Sequence, residues 1–200
     1  MQAERNISDE VLIRRVLEGH QEDFTLLVER HASPLLHFVG RMIPVREEAE
    51  EVVQDALLAA YQRLHDFDVR RASFTVWLRR IAFNTVTHHL RKHHPTFISI
   101  EESQDKTSAT TDAALDRLLS EEGPDIRELL DHALEQLRPE ERMLLHLFYN
   151  DGQSLSEIAF ILGLTDKGSP ARAVSALTSR LHRIRKKLFV TIKRLRYEHQ

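Results

Sequence analysis

Twice along this chain apolar residues recur at spacings of three and four, and between those two stretches, from about residue 95 to residue 124, they do not. That rhythm admits helices that each bury one stripe and excludes strand alternation over most of the length. Six Gly and six Pro in 200 residues supply little of the turn chemistry that a β-rich fold needs. A hydrophobic content of 42% suffices for one or two small cores. The expected fold is all-α: two small helical domains, residues 1–95 and 125–200, joined by an acidic flexible linker over 96–124.

In the first domain, Ser8 with Asp9 and Glu10 reads as a cap and an acidic first turn, and Gly19 closes that helix. A second helix carries Phe24, Leu27, Val28, Leu35, Leu36 and Val39, with a bend expected near Ser33-Pro34. From Glu47 to about Leu64, Val53, Leu57, Ala60 and Leu64 are spaced 4, 3 and 4, while Glu47, Glu48, Glu50, Glu51 and Asp55 crowd the N-terminal half. Over Arg70 to Lys92, Phe74, Leu78, Ile81, Thr85 and Leu90 form a buried seam, and Arg80, Asn84, His88 and Arg91 recur on another face. Arg and Lys neutralise phosphates, and Asn and His address base edges, so that second face suits nucleic acid. A merely solvated charged face is the plain alternative. Trp77 falls between the two faces and is expected to be mostly core, with an edge that could stack on a base. Arg91-Lys92-His93-His94 precede Pro95, where helical geometry is disfavoured.

The linker starts with an extended stretch, Thr96 to Ile100, and turns polar, with a short helix expected around 113–119. Beyond it, Leu129, Leu130, Ala133, Leu134 and Leu137 restore the helical period, Pro139 suits a first turn, and Leu144, Leu145 and Phe148 form the next apolar side. Ser154-Leu-Ser-Glu157 is a capping box for a short helix that ends at Gly163. Ser169 as cap and Pro170 at the first helical position start a last helix whose seam is Val174, Leu177, Leu181, Ile184 and Leu188. Its opposite face shows Arg172, Ser175, Ser179, Arg183 and Lys186. A short capped helix, a Gly-containing turn and a basic helix together make a helix-turn-helix. The net charge of −3 conceals this asymmetry, since no acidic residue interrupts Arg172 to Tyr197.

Phe74-x-x-Trp77-Leu78-x-x-Ile81-Ala82-x-Asn84, followed by Leu90-Arg91-Lys92, resembles the second conserved region of bacterial RNA polymerase sigma factors of the extracytoplasmic-function group. Ala49-Glu50-Glu51-Val52-Val53-Gln54-Asp55-Ala56-Leu57 resembles the segment by which that family docks on the clamp helices of the polymerase's largest subunit. Leu137-x-Pro139-Glu140-x-Arg142, Leu155-Ser156-Glu157-Ile158-Ala159 with Leu162-Gly163-Leu164, and Ser179 to Leu188 are similar to the family's fourth region. The resemblance implies a protein that binds core RNA polymerase through Glu50, Glu51, Gln54 and Asp55. It implies that Arg71, Arg80, Asn84, His88, Arg91 and Lys92, with the loop 65–71, open the proximal promoter element and hold flipped bases. Arg172, Ser175, Thr178, Ser179, Arg180, Arg183 and Lys186 would contact the distal element, and an anti-sigma protein is an implied partner. Two departures qualify the carry-over. Thr165 to Val174 expands a turn that is short in the family, lengthening the last helix at its N-terminus by roughly two turns of about 3.6 residues. His88 stands where the family commonly has Asp, a change read as surface drift.

Other functional classes find less support. No Asp or Glu lies three positions before any of the twelve His, so the Glu-x-x-His pair of helical di-iron sites is absent, as is any Gly-rich phosphate loop. His88-His89 and His93-His94 have neither acidic nor thiolate companions, so no metal, no cofactor and no enzymatic activity are expected. With no Cys, no apolar leader and no run of about 20 apolar residues, a cytoplasmic protein without membrane insertion is expected. A sigma-like decoy that titrates an anti-sigma protein is the alternative; it would need neither the basic face nor the basic last helix. A repressor using only residues 126–196 would leave the acidic segment 47–55 without a role.

Overall fold

The computed structural model describes residues 7–93, 117, 124–167 and 169–198, and among them there are eight α-helices and no strand. The chain divides into two compact units, Met1–Ser99 with Phe160–Lys167, and Ile100–Ala159 with Gly168–Gln200. The expected linker, its extended start and its short helix lie outside the described residues apart from Arg117 and Pro124, as does His94.

In the first unit, α1 (Asp9–Leu17), α2 (Phe24–Gly40), α3 (Arg46–Gln62) and α4 (Phe74–His93) pack in succession, α2 on α3 and α3 on α4. Gly19 follows α1 with φ +109°, a backbone region that glycine enters without a Cβ clash. Ser8 makes no side-chain cap, and Asp9 faces inward instead: it pairs with Arg30, and its Oδ2 lies 2.7 Å from His31 Nε2. The buried His31 ring meets Phe74 edge-on at 5.1 Å, so this cluster ties α1 and α2 to the start of α4. The bend expected at Ser33-Pro34 does not divide the helix, because α2 continues through Pro34 to Gly40. Proline removes one N–H from the ladder, and the burial of Leu27, Leu35, Phe38 and Val39 on both sides of it holds the helix together. α3 buries Ala49, Val52, Val53, Ala56 and Ala60, and its three alanines let neighbouring helices approach closely. α4 buries Phe74, Val76, Trp77, Leu78, Ile81, Ala82, Phe83, Val86 and Leu90, a wider band than the five-residue seam expected, with Thr85 at its margin.

The second unit is built from α5 (Pro124–Glu135), α6 (Pro139–Leu145), the N-terminal part of α7 (Leu155–Ile161) and α8 (Pro170–Glu198). Pro139 opens α6 at its first position, as its missing N–H allows, and α6 runs into a π-helical turn over His146–Asn150. The Ser154 box forms: Glu157 N–H donates to Ser154 Oγ at 3.2 Å and Ser154 N–H to Glu157 Oε2 at 2.9 Å. Gly163, with φ +69°, ends α7. Ser169 caps α8 through its Oγ, which accepts from Arg172 N–H at 3.3 Å. The 29 residues of α8 extend about 44 Å. Its seam is Ala173, Leu177, Leu181, Ile184, Leu188 and Ile192; Val174, expected to lead it, is half-buried, because the helical period places Ala173 four residues before Leu177. α5 packs along α8.

Candidate polymerase and nucleic-acid interfaces

Burial of the alanine-rich side of α3 decides what the helix shows. Glu47, Glu51, Gln54, Asp55 and Leu58 are exposed. Glu50 is half-buried and accepts from Arg46 Nε at 2.8 Å, one helical turn away, a hydrogen bond that raises the arginine's pKa. Three of the four predicted polymerase-binding residues thus stand open, and the fourth carries its own cation. Leu58, 57% exposed, adds an apolar side chain to the same stretch. It was missed in the sequence because one leucine among periodic leucines gives no sign of facing outward.

Along α4, Asn84, His88, Arg91 and Lys92 are exposed and Arg80 is half-buried beside the seam. The preceding loop is shaped by Asp68, whose Oδ1 accepts from Arg70 N–H at 3.0 Å and from Arg70 Nε at 2.9 Å. These bonds hold the Asp68 carboxyl below its usual range. Arg71 N–H closes the turn on Asp68 O at 3.0 Å, leaving Val69 and Arg71 exposed. Phe67 anchors the loop, its ring edge-on to Phe74 at 5.7 Å and to Trp77 at 5.5 Å. Trp77 is only 9% exposed and belongs to the core, as expected.

On α8, Arg172, Ser175, Thr178, Ser179 and Lys186 are exposed and Arg183 is half-buried. Thr178 Oγ1 donates to Val174 O at 3.0 Å and Ser179 Oγ to Ser175 O at 3.1 Å, which leaves both oxygens able to accept from outside. Arg180 is half-buried like Arg183; burial lowers its pKa, and the carboxylates of α6, Glu140 first, act against that. There Glu141 accepts from Arg138 N–H at 2.9 Å and from Lys187 Nζ at 3.0 Å. Burial pushes its carboxyl up, but those donors together outweigh burial and the net shift is downward. A carboxylate whose pKa is depressed by folding stabilises the native state above its unfolded value, near 4.5, and loses that contribution as pH falls through the folded value. Urea titrations of the second unit between neutral pH and about pH 3 are therefore expected to show an acid loss of stability that is smaller in Glu141→Gln. Equal acid loss in both proteins would contradict this role.

A family model of sigma-70 region 2 matches residues 27–96, and one of sigma-70 region 4 matches residues 127–169. Over 164 residues the chain is 32% identical to the ECF RNA polymerase sigma-E factor of Escherichia coli K12, covering 78% of this chain and 83% of that protein. This chain belongs to the extracytoplasmic-function sigma factors. It is 31% identical over 160 residues to the RNA polymerase sigma-H factor of Pseudomonas aeruginosa, covering 77% of this chain and 82% of that one. Its fold is similar to the solved structure of CnrH in complex with the cytosolic domain of CnrY, with a TM-score of 0.57 and 27% identity over 90% of this chain and 94% of that one. As a sigma factor the protein binds core RNA polymerase and directs promoter recognition and melting. The region 4 match stops at Ser169, immediately before α8 begins, so the last helix of this sigma factor lies beyond it.

Proposed function

We propose that this sigma factor divides promoter opening among three helices. The exposed Glu51, Gln54 and Asp55 of α3, with Glu50 behind its Arg46 partner, dock on the clamp helices of the polymerase's largest subunit. α4 and the loop before it melt and hold the proximal element through Arg71, Arg80, Asn84, His88, Arg91 and Lys92. α8 reads the distal element through Arg172, Ser175, Thr178, Ser179, Arg183 and Lys186. The observation that best supports this division is the α4 surface, where Asn84, His88 and Arg91 stand in solvent opposite an apolar band. The residues from 1 to 95 act as the docking and melting domain, those from 125 to 200 as the distal-element domain, and the acidic stretch between them as a tether.

The protein works in the cytoplasm and leaves catalysis to the polymerase; among the described residues no helix is long and apolar enough to cross a membrane. An anti-sigma protein restrains it, a reading supported by the fold shared with CnrH, which was solved with the cytosolic domain of CnrY. Arg80→Ala with Asn84→Ala is expected to leave core binding unchanged and to reduce open-complex formation by about tenfold or more, since a good base contact is worth roughly 1–3 kcal/mol. Permanganate reactivity of unpaired thymines in the promoter reads the effect. Equal loss of core binding and of melting would refute the division of labour.

A further inference from the structure

α6 places two carboxylates indoors, Glu140 at 6% exposure and Glu141 at 8%. Buried charge of this kind is tolerated only where cations or hydrogen-bond donors face it. Glu141 has Arg138 N–H and Lys187, whereas Glu140 Oε2 has no hydrogen-bond partner among the described residues. Lys187 establishes which stripe of α8 lies over the start of α6, because its Nζ is 3.0 Å from Glu141. Arg180 is seven residues earlier, two helical turns along that stripe. It is half-buried, whereas Lys187 at the far end of the stripe and the neighbouring Ser179 and Lys186 are exposed. Burial lowers the Arg180 pKa, and the Glu140 charge is the largest influence acting against that.

We propose that Arg180 is a positioning residue of the distal-element reader, held inward by Glu140 and Glu141, and does not touch DNA. The proposal rests on the reading of α8 as that reader. Consecutive residues on a helix are about 100° apart, so the half-buried Arg180, on the stripe whose exposed Lys187 reaches Glu141, sets the rotation at which Ser179, Lys186, Ser175 and Arg172 face the groove. A guanidinium turned toward the buried Glu140 is also turned away from a phosphate. The helix-turn-helix motif alone would count Arg180 among the basic residues reaching for DNA, and here it is the buried carboxylates that claim it.

The test uses holoenzyme reconstituted from core polymerase and the full chain, carrying Arg180→Met, Glu140→Gln or both. Affinity is measured over a range of salt for a promoter fragment and for the same fragment with its distal element scrambled, and unfolding midpoints are measured on the free proteins. Arg180→Met is expected to lower the midpoint and to reduce the ratio of the two affinities severalfold. Adding Glu140→Gln is expected to restore both, with the salt slope unchanged throughout. A slope shallower by about 0.9 in Arg180→Met, with no rescue by Glu140→Gln, would establish a direct phosphate contact and overturn the proposal. A lowered midpoint with an unchanged affinity ratio would also overturn it, reducing Arg180 to a packing role. If the wild-type holoenzyme itself fails to discriminate the two fragments, the reading of α8 falls instead, a failure visible before any variant is compared.

Discussion

Phe38→Ala is expected to cost about 3–5 kcal/mol and to leave the first unit largely unfolded at physiological temperature. Phe38 sits in the last turn of α2, is 1% exposed, and has the Arg79 guanidinium 5.7 Å from its ring centroid. Removing the ring opens a cavity where α2 meets its neighbours and takes away a surface on which a cationic side chain lies. Domains of this size are stable by only about 5–15 kcal/mol, so the loss consumes much of the reserve. Trp77, the single tryptophan, lies in this unit, and its fluorescence in urea follows the first unit alone. Far-UV circular dichroism should show the α5–α8 unit unfolding at its wild-type midpoint. A loss below about 1 kcal/mol would mean that α2 is not packed as described.

Reversing the charge of the α3 surface, Glu51→Lys with Asp55→Lys, is expected to weaken core polymerase binding by about a hundredfold or more, because like charges brought together in an interface cost several kcal/mol. Both side chains are exposed and outside the α3 seam, so stability should change by no more than about 0.5 kcal/mol each. Specificity is checked with Glu128→Lys, which alters net charge equally per substitution on the exposed side of α5 and should leave binding intact. If the α3 variant still bound core polymerase normally, the docking surface would have to be sought elsewhere in the chain.

Local chemistry explains which elements could be read before any coordinates. The Ser154 box, Pro139 at a first turn and the Ser169 cap are determined by residues close in sequence, and each is found where its spacing puts it, while the α4 seam is found with Thr85 at its margin. Interactions across longer separations leave no such period. Asp9 follows a good capping residue and looks like a dipole-stabilising acid, yet it serves Arg30 and His31, 21 and 22 residues away. Glu140 and Glu141 resemble an ordinary acidic first turn. Their burial follows from α8, which returns 46 residues later with Lys187 against Glu141. The polar face of α8 was legible as a periodicity, but the inward turn of Arg180 was not, since an arginine bordering a seam looks the same whether it meets solvent or a buried carboxylate. The Asp68–Arg70 turn shows the opposite limit: its partners are close in sequence, but a two-residue side-chain chelate has no signature distinct from any charged loop.

The decisive measurement is run-off transcription from genomic fragments by purified bacterial core polymerase with and without this sigma factor. Starts that require the protein and share a two-part upstream element, lost with Arg80→Ala plus Asn84→Ala and retained with Glu128→Lys, are the expected outcome. Firm core binding without any protein-dependent start would contradict promoter direction and favour a sigma-like decoy.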